Sequence, residues 1–165
     1  MVLLEKFIAK DIPSFISWLK DTDAEFLVQF AGPKYKYPLD ENQILQTLND
    51  KNYIVFKAID EKLNIPIGHC QLMEINFINK TAAIGRVLVR KEYRNKNYGY
   101  EMLMNLVKYS KDILDLKKLT LRVFDFNIAA INCYKKIGFV EIKNENVYFK
   151  DIGKTWKCLT LEYQI

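Results

Sequence analysis

The hydrophobic pattern changes period several times along the chain, and each change marks an element. Met1 to Ile8 is an apolar opening run that reads as a strand. Helical spacing then takes over near residues 12–20, 23–30 and 41–49. Asp11 ahead of Pro13 suits the start of the first helix, where a missing N–H costs little. Thr22-Asp23-Ala24-Glu25 reads as a capping box for the second, and Asp40 followed by Gln43 as a weaker version for the third. Gly32-Pro33 and the aromatic loop Tyr35-Lys36-Tyr37-Pro38 separate these helices.

At Tyr53 the texture turns to β. Tyr53-Ile54-Val55-Phe56 starts a strand, the polar turn Asp60–Asn64 leads into a second from about Ile65 to Phe77, and Asn79-Lys80 turns into a third, Ala82 to Val89. Short polar turns between such runs predict an antiparallel meander. From Met102 the period is helical again, with Met102, Leu103, Leu106, Val107, Ser110, Ile113 and Leu114 on one face. Lys118 to Val123 alternates strictly, as a strand with one buried face does. Ala130, Ile131, Tyr134 and Ile137 mark a last helix, and strands near 140–149 and 155–164 follow. The order predicts an α/β fold: a mixed, mostly antiparallel sheet with one β-helix-β unit in its middle.

Composition narrows what this fold serves. At 165 residues, half of them hydrophobic, the chain is expected to form a single domain over residues 1–165. No apolar run approaches the ~20 residues of a membrane helix, so no membrane partner is expected. An acid and a base at Glu5-Lys6 fall too early for a signal peptide. Cys70, Cys133 and Cys158 lie far apart and His69 is the lone histidine, which argues against a disulfide framework or a metal site. Together these point to a reducing, cytoplasmic setting. Net charge is +5, yet residues 1–61 hold 7 Lys/Arg against 10 Asp/Glu and residues 62–165 hold 18 against 10. Either charge is scattered as on any surface, or an anion-binding half adjoins a half that faces a cation. No dense basic stretch or nucleic-acid-binding signature accompanies it, so no nucleic acid is expected.

Two segments carry candidate chemistry. The first runs from Val87-Leu88-Val89 through the basic loop Arg90–Lys96 to Asn97-Tyr98-Gly99-Tyr100, where a helix opens. Unpaired N–H groups and the helix dipole attract an anion there, Gly99 lets the backbone approach a ligand, and Asn97 tolerates a left-handed conformation. A solvated basic loop is the plainer alternative. The segment lacks both the Walker A pattern and the GxGxxG fingerprint. In the second, Asn127 stands between a strand and a helix that Gly138 stops. Tyr134 shares a face with Ala130 and Ile137, so on spacing alone it reads as a core aromatic.

Taken together the segments resemble the Gcn5-related N-acetyltransferase (GNAT) superfamily. Its acyl-CoA loop, (Q/R)xxGx(G/A), is matched by Arg94, Asn95, Lys96, Asn97, Tyr98 and Gly99, with Asn97 in place of the first glycine. A second signature, NxxAxxxYxKxGF, is complete at Asn127, Ala130, Tyr134, Lys136, Gly138 and Phe139. The resemblance covers residues 53–145 well and the N-terminal helices loosely. It implies the GNAT acyl-CoA N-acyltransferase fold, with helices on both sheet faces, and transfer of an acetyl group from acetyl-CoA to a primary amine in a ternary complex. In that picture Val87, Leu88 and Val89 pair with the pantetheine arm, and an N–H near Leu88 polarises the thioester carbonyl. Amides of Asn95–Tyr100, with Arg94 and Lys96, hold the pyrophosphate. Asn127 hydrogen-bonds the pantetheine, and Tyr134 protonates the departing thiolate. Where many members place a glutamate base this chain has Ala83. Glu74, Asp125 and His69 are the candidates left for that role, and positioning without a base is the alternative. The early helices, the Trp18 region and Ile67-Gly68-His69 look most like the ribosomal-protein N-terminal acetyltransferase group, with Trp18, Tyr35 and Tyr37 as acceptor-lining candidates. A non-catalytic acyl-CoA-binding domain on the same fold is the rival reading. This fold often pairs through its C-terminal strands, which makes a homodimer the expected assembly.

Overall fold

The computed structural model covers residues 1–165. It contains strands β1 (Val2–Lys6), β2 (Ile54–Asp60), β3 (Ile65–Asn76), β4 (Thr81–Val89), β5 (Lys118–Phe124), β6 (Val140–Phe149) and β7 (Lys154–Gln164). The helices are α1 (Ile12–Ser17), α2 (Ala24–Ala31), α3 (Glu41–Leu48), α4 (Tyr98–Asp112) and α5 (Ile128–Ile137). The seven strands form one sheet in the order β1-β2-β3-β4-β5-β7-β6, with β4 and β5 the parallel pair. The remaining pairs are antiparallel, and β2-β3-β4 form the meander that the short polar turns predict.

Alternation along the strands sends side chains to two cores. Phe56 and Ala58 of β2 and Ile84 of β4 pack under α4 and α5 with Met102, Leu103, Leu106 and Tyr134. Val55 and Leu88 point to the opposite face, where Phe7, Ile12, Phe15, Leu27, Tyr35 and Ile44 form the layer carrying α1–α3. Helices thus cover both faces. A third cluster (Val28, Phe124, Phe149, Cys158) joins α2 to the C-terminal strands. No helix is long and apolar enough to cross a membrane.

Local signals held with two corrections. The N-cap of α2 is Asp23, whose Oδ1 accepts from Phe26 N–H at 2.8 Å, while the Thr22 hydroxyl turns back to Leu19 O. Asp23 wins because a carboxylate beside the helix start also meets the helix dipole. Asp11 does not cap α1 with its side chain. Its carboxylate accepts instead from Ile8 N–H and from Lys57 Nζ at 2.9 Å, tying the helix start to the sheet.

Candidate active site

The site begins where two strands part. β4 and β5 pair only over Thr81–Ile84 against Lys118–Leu121, and β5 goes on with β7 as far as Phe124 opposite Cys158. The register between β3 and β4 shifts between His69 and Gln71, opposite Arg86, whose φ is 47°. Such a bulge bends its strand and increases twist. Beyond it β4 keeps β3 as partner but has left β5, so Val87–Val89 presents an open edge. Arg90 N–H bonds Ile67 O at 2.9 Å and Leu88 lies opposite His69. Antiparallel alternation then turns the Leu88 N–H and C=O into the β3 ladder and those of Val87 and Val89 toward the gap. The Val89 carbonyl accepts there from Arg94 Nε at 2.9 Å. The amide expected near Leu88 is therefore corrected to its neighbours.

A cavity of about 500 Å³ fills the gap. Its walls are the β4 edge, the loop and first turn of α4, the face of α5 with Asn127, and α2 above. The loop reaches α4 through two left-handed residues, Asn95 (φ 60°) and Asn97 (φ 65°). The first helical bond of α4 is Glu101 N–H to Asn97 O. The N–H groups of Tyr98, Gly99 and Tyr100 therefore have no partner in the preceding turn. Lys136 of α5 lies beside this helix start, 3.3 Å from Asn97 Oδ1 and over the Tyr100 ring. An anion meets backbone donors, a helix dipole and cationic side chains in one place.

Tyr134 lies on the inner face of α5, only 7% exposed, and lines the cavity. Burial raises its phenol pKa above the usual value, with Cys133 and Cys70 adding to the shift, so the hydroxyl carries its proton at neutral pH. Asn127 caps α5 through a long contact from Ala130 N–H, 3.4 Å, and faces the same space.

Of the residues singled out in the sequence, Val87, Leu88, Val89, Arg94, Asn95, Asn97, Gly99, Tyr100, Asn127 and Tyr134 line this cavity. Two of the loop residues turn their side chains elsewhere. Tyr98 donates its hydroxyl to Asp60 Oδ2 at 2.5 Å, and Lys96 Nζ returns to Glu92 O. Glu74 is corrected as a base. It is exposed, at φ 53° in a second irregularity of β3. It also stands five residues along the strand from His69, roughly 17 Å at strand rise. Asp125 is exposed and outside the cavity lining. His69 is buried among Phe7, Phe15 and Phe30, and burial holds its pKa down to about 4. No carboxylate or imidazole lines the cavity. Trp18, Tyr35 and Tyr37 are also outside it; Tyr35 is a core residue and Tyr37 is 58% exposed.

Phe26, Gln29 and Phe30 of α2 form the wall that the sequence reading missed. In sequence they are ordinary positions of an amphipathic helix, and only the crossing of α2 over β4 brings them to the site. From Phe26 and Gln29 an open groove continues past Asp21, Asp23 and Glu25 to Phe126 and Trp156.

The comparisons with known proteins agree with this geometry. Residues 14–139 match the family model described as the acetyltransferase (GNAT) family. A spermidine N(1)-acetyltransferase of Vibrio cholerae is 33% identical over 86 residues, 52% of this chain and 49% of that protein. An N-alpha-acetyltransferase of Sulfurisphaera tokodaii is 30% identical over 84 residues, 51% and 50% of the two chains. The match therefore spans about half the length of these curated relatives. Across nearly the whole chain the fold superposes on the crystal structure of spermidine N-acetyltransferase from Vibrio cholerae in complex with CoA and spermine. The TM-score is 0.83 at 19% identity, covering 99% of this chain and 95% of that one. With the splayed strands, the left-handed loop and the family match over most of its length, the chain belongs to the acetyltransferase (GNAT) family.

Proposed function

We propose that the protein transfers the acetyl group of acetyl-CoA to a primary amine, and that its preferred acceptor is a small polycation. The observation that carries the first half is the cavity itself, where an unpaired strand edge, an open helix N-terminus and a buried phenol share one space. The Val87–Val89 edge takes the pantetheine arm as an added strand. An N–H of that edge donates to the thioester oxygen as charge develops on it. The N–H groups of Asn95–Tyr100, with the Arg94 guanidinium, bind the pyrophosphate. Asn127 orients the pantetheine amide. The neutral amine attacks the thioester carbon, the C–S bond breaks, and Tyr134 gives its proton to the thiolate. The proton shed by the newly acylated nitrogen passes to water, from which Tyr134 is reprotonated. With no carboxylate or imidazole on the cavity wall, the amine arrives neutral or loses its proton to water, and the site contributes positioning.

The acceptor class rests on the groove. Asp21, Asp23 and Glu25 stand along it with Phe126 and Trp156; Lys154 pairs with Glu25, and the carboxylates still outnumber the cation. Carboxylates and aromatic faces both favour a cation. Of the two relatives, one is named for spermidine and the other for N-alpha acetylation. The groove supports the polyamine-like acceptor over the ribosomal-protein N-terminal acetyltransferase layout. Homodimer formation is supported by β6, an edge strand with exposed Val140, Ile142 and Tyr148.

Incubation with acetyl-CoA and a panel of polyamines, aminoglycosides, amino acids and peptides, read by mass spectrometry, tests the reading. Polyamines are expected to be acetylated fastest. Tyr134→Phe is expected to lower kcat by about 10²–10⁴-fold with CoA affinity unchanged. Binding of acetyl-CoA without any product would favour the non-catalytic acyl-CoA-binding alternative. Absence of binding would overturn the proposal.

A further inference from the structure

Three buried polar side chains lie beside the site without lining it. His69, Gln71 and Arg86 are 1%, 1% and 6% exposed. They form a circuit that begins and ends on one residue. His69 Nδ1–H donates to the Arg86 carbonyl at 2.9 Å, which fixes the tautomer and leaves Nε2 as acceptor. Gln71 Nε2 reaches that Nε2 at 3.5 Å, and Arg86 Nη1 donates to Gln71 Oε1 at 2.5 Å. No carboxylate pairs with the guanidinium. It stacks on the rings of Tyr35 and Tyr53, at 4.5 and 5.3 Å, and its Nε has no partner. A buried cation so placed is costly for stability alone.

Its backbone is equally unusual. Arg86 holds φ 47°, a region that side-chain-bearing residues other than Asn and Asp avoid. It is the bulge residue, two positions past the last β4–β5 pair at Ile84 and one before the open edge. Strain of this kind persists only where surrounding contacts hold it. The circuit supplies those contacts, and it joins the two halves of the site. Arg86 belongs to the strand with the open edge, while Phe30, 6.1 Å from the His69 ring, is also part of the cavity wall from α2.

We propose that the His69–Gln71–Arg86 circuit is a positioning device for acetyl transfer. It holds residue 86 in the left-handed region, keeps β4 splayed from β5, and so aims the Val87 and Val89 edge groups at the acyl chain. This role rests on the acyl-CoA reading given above. Arg86 does at a cost in strain what glycine would do freely, and in return it ties β4 to Tyr35 and Tyr53 under α3.

Two substitutions separate positioning from plain structural support. Arg86→Met and Arg86→Gly both remove the guanidinium, and glycine leaves the larger void. Support alone predicts that glycine is the worse of the two in every respect. Positioning predicts the reverse order for ligand affinity, because glycine occupies positive φ without strain. By calorimetric titration with CoA, Arg86→Met is expected to bind about tenfold more weakly than wild type, and Arg86→Gly within about threefold of it. Gln71→Met, which strips the guanidinium of its acceptor, is expected to follow Arg86→Met. Adding Arg86→Gly to Gln71→Met should recover affinity, a comparison that stands even where Arg86→Met does not fold. Melting temperatures are measured alongside. Affinities that track melting temperature across the series, or that all equal wild type, overturn the proposal while leaving the acyl-CoA reading intact. A wild-type protein that binds no CoA overturns both.

Discussion

His69 shows how a titratable residue is disarmed by its surroundings. Three phenylalanine rings surround it, with centroids 5.3, 4.4 and 6.1 Å from Phe7, Phe15 and Phe30. Burial is the main cause that lowers its pKa from 6.5 to about 4, and the nearby Arg86 charge adds to it against the hydrogen bond to the Arg86 carbonyl. The folded state therefore keeps the ring neutral where the unfolded chain binds a proton. Its contribution to stability is present above pH 6.5 and is lost as pH falls toward 4. The loss is on the order of 3 kcal/mol over that window. Urea unfolding at pH 7 and pH 4.5 measures it, and in His69→Gln the difference between the two pH values should shrink by a similar amount. A strand histidine carries no mark of this in sequence, since the three rings arrive from the residue after β1, from α1 and from α2 through the fold.

At the scale of elements, the joints were the legible parts. Gly138 ends α5 at φ 117°, with its N–H on the carbonyls of Tyr134 and Lys135, as the glycine after the last apolar helical position predicts. A Cβ at this position would meet Tyr163 Cε2 at 3.1 Å of β7. Gly138→Ala therefore meets both an unfavourable φ and a neighbouring ring. It should lower stability by about 1–3 kcal/mol, read as a shift in the denaturant midpoint at constant m-value. Because Tyr134 lies one turn upstream on α5, the same variant should also weaken turnover more than CoA binding. The short α1 was less legible. Its helical pattern extends to about residue 20, whereas the helix stops at Ser17 and Leu19 N–H falls back to Ile16 O in a tighter turn. Burial of Leu19 keeps the apolar spacing beyond the end of the helix, so the pattern alone overstates its length.

Across the whole molecule, charge and topology set an acidic groove against a basic helix start. Asp21, Asp23 and Glu25 line the groove, while Arg94 and Lys136 line the cavity at the α4 N-terminus. Lys154 pairs with Glu25 and partly neutralises the groove. Raising ionic strength from about 0.05 to 0.5 M shortens the screening length severalfold, so KM for a polyamine should rise while KM for an uncharged-side-chain amine changes little. Equal salt dependence for both acceptors would count against the groove as a cation site. The amino-acid sequence by itself determined the order of elements, the parallel β4–α4–β5 unit, the left-handed loop at Asn97 and the family signature around Tyr134. These depend on side-chain periodicity, turn chemistry and local backbone preference, all of which act within a few residues. Tertiary structure alone decided that the Leu88 amide faces β3 and that Glu74 stands far from the cavity. It also decided that α2 supplies Phe26, Gln29 and Phe30 and that Arg86 carries the bulge. Those outcomes follow from strand register and from one element crossing another, and neither is written in the spacing of residues along a single strand or helix.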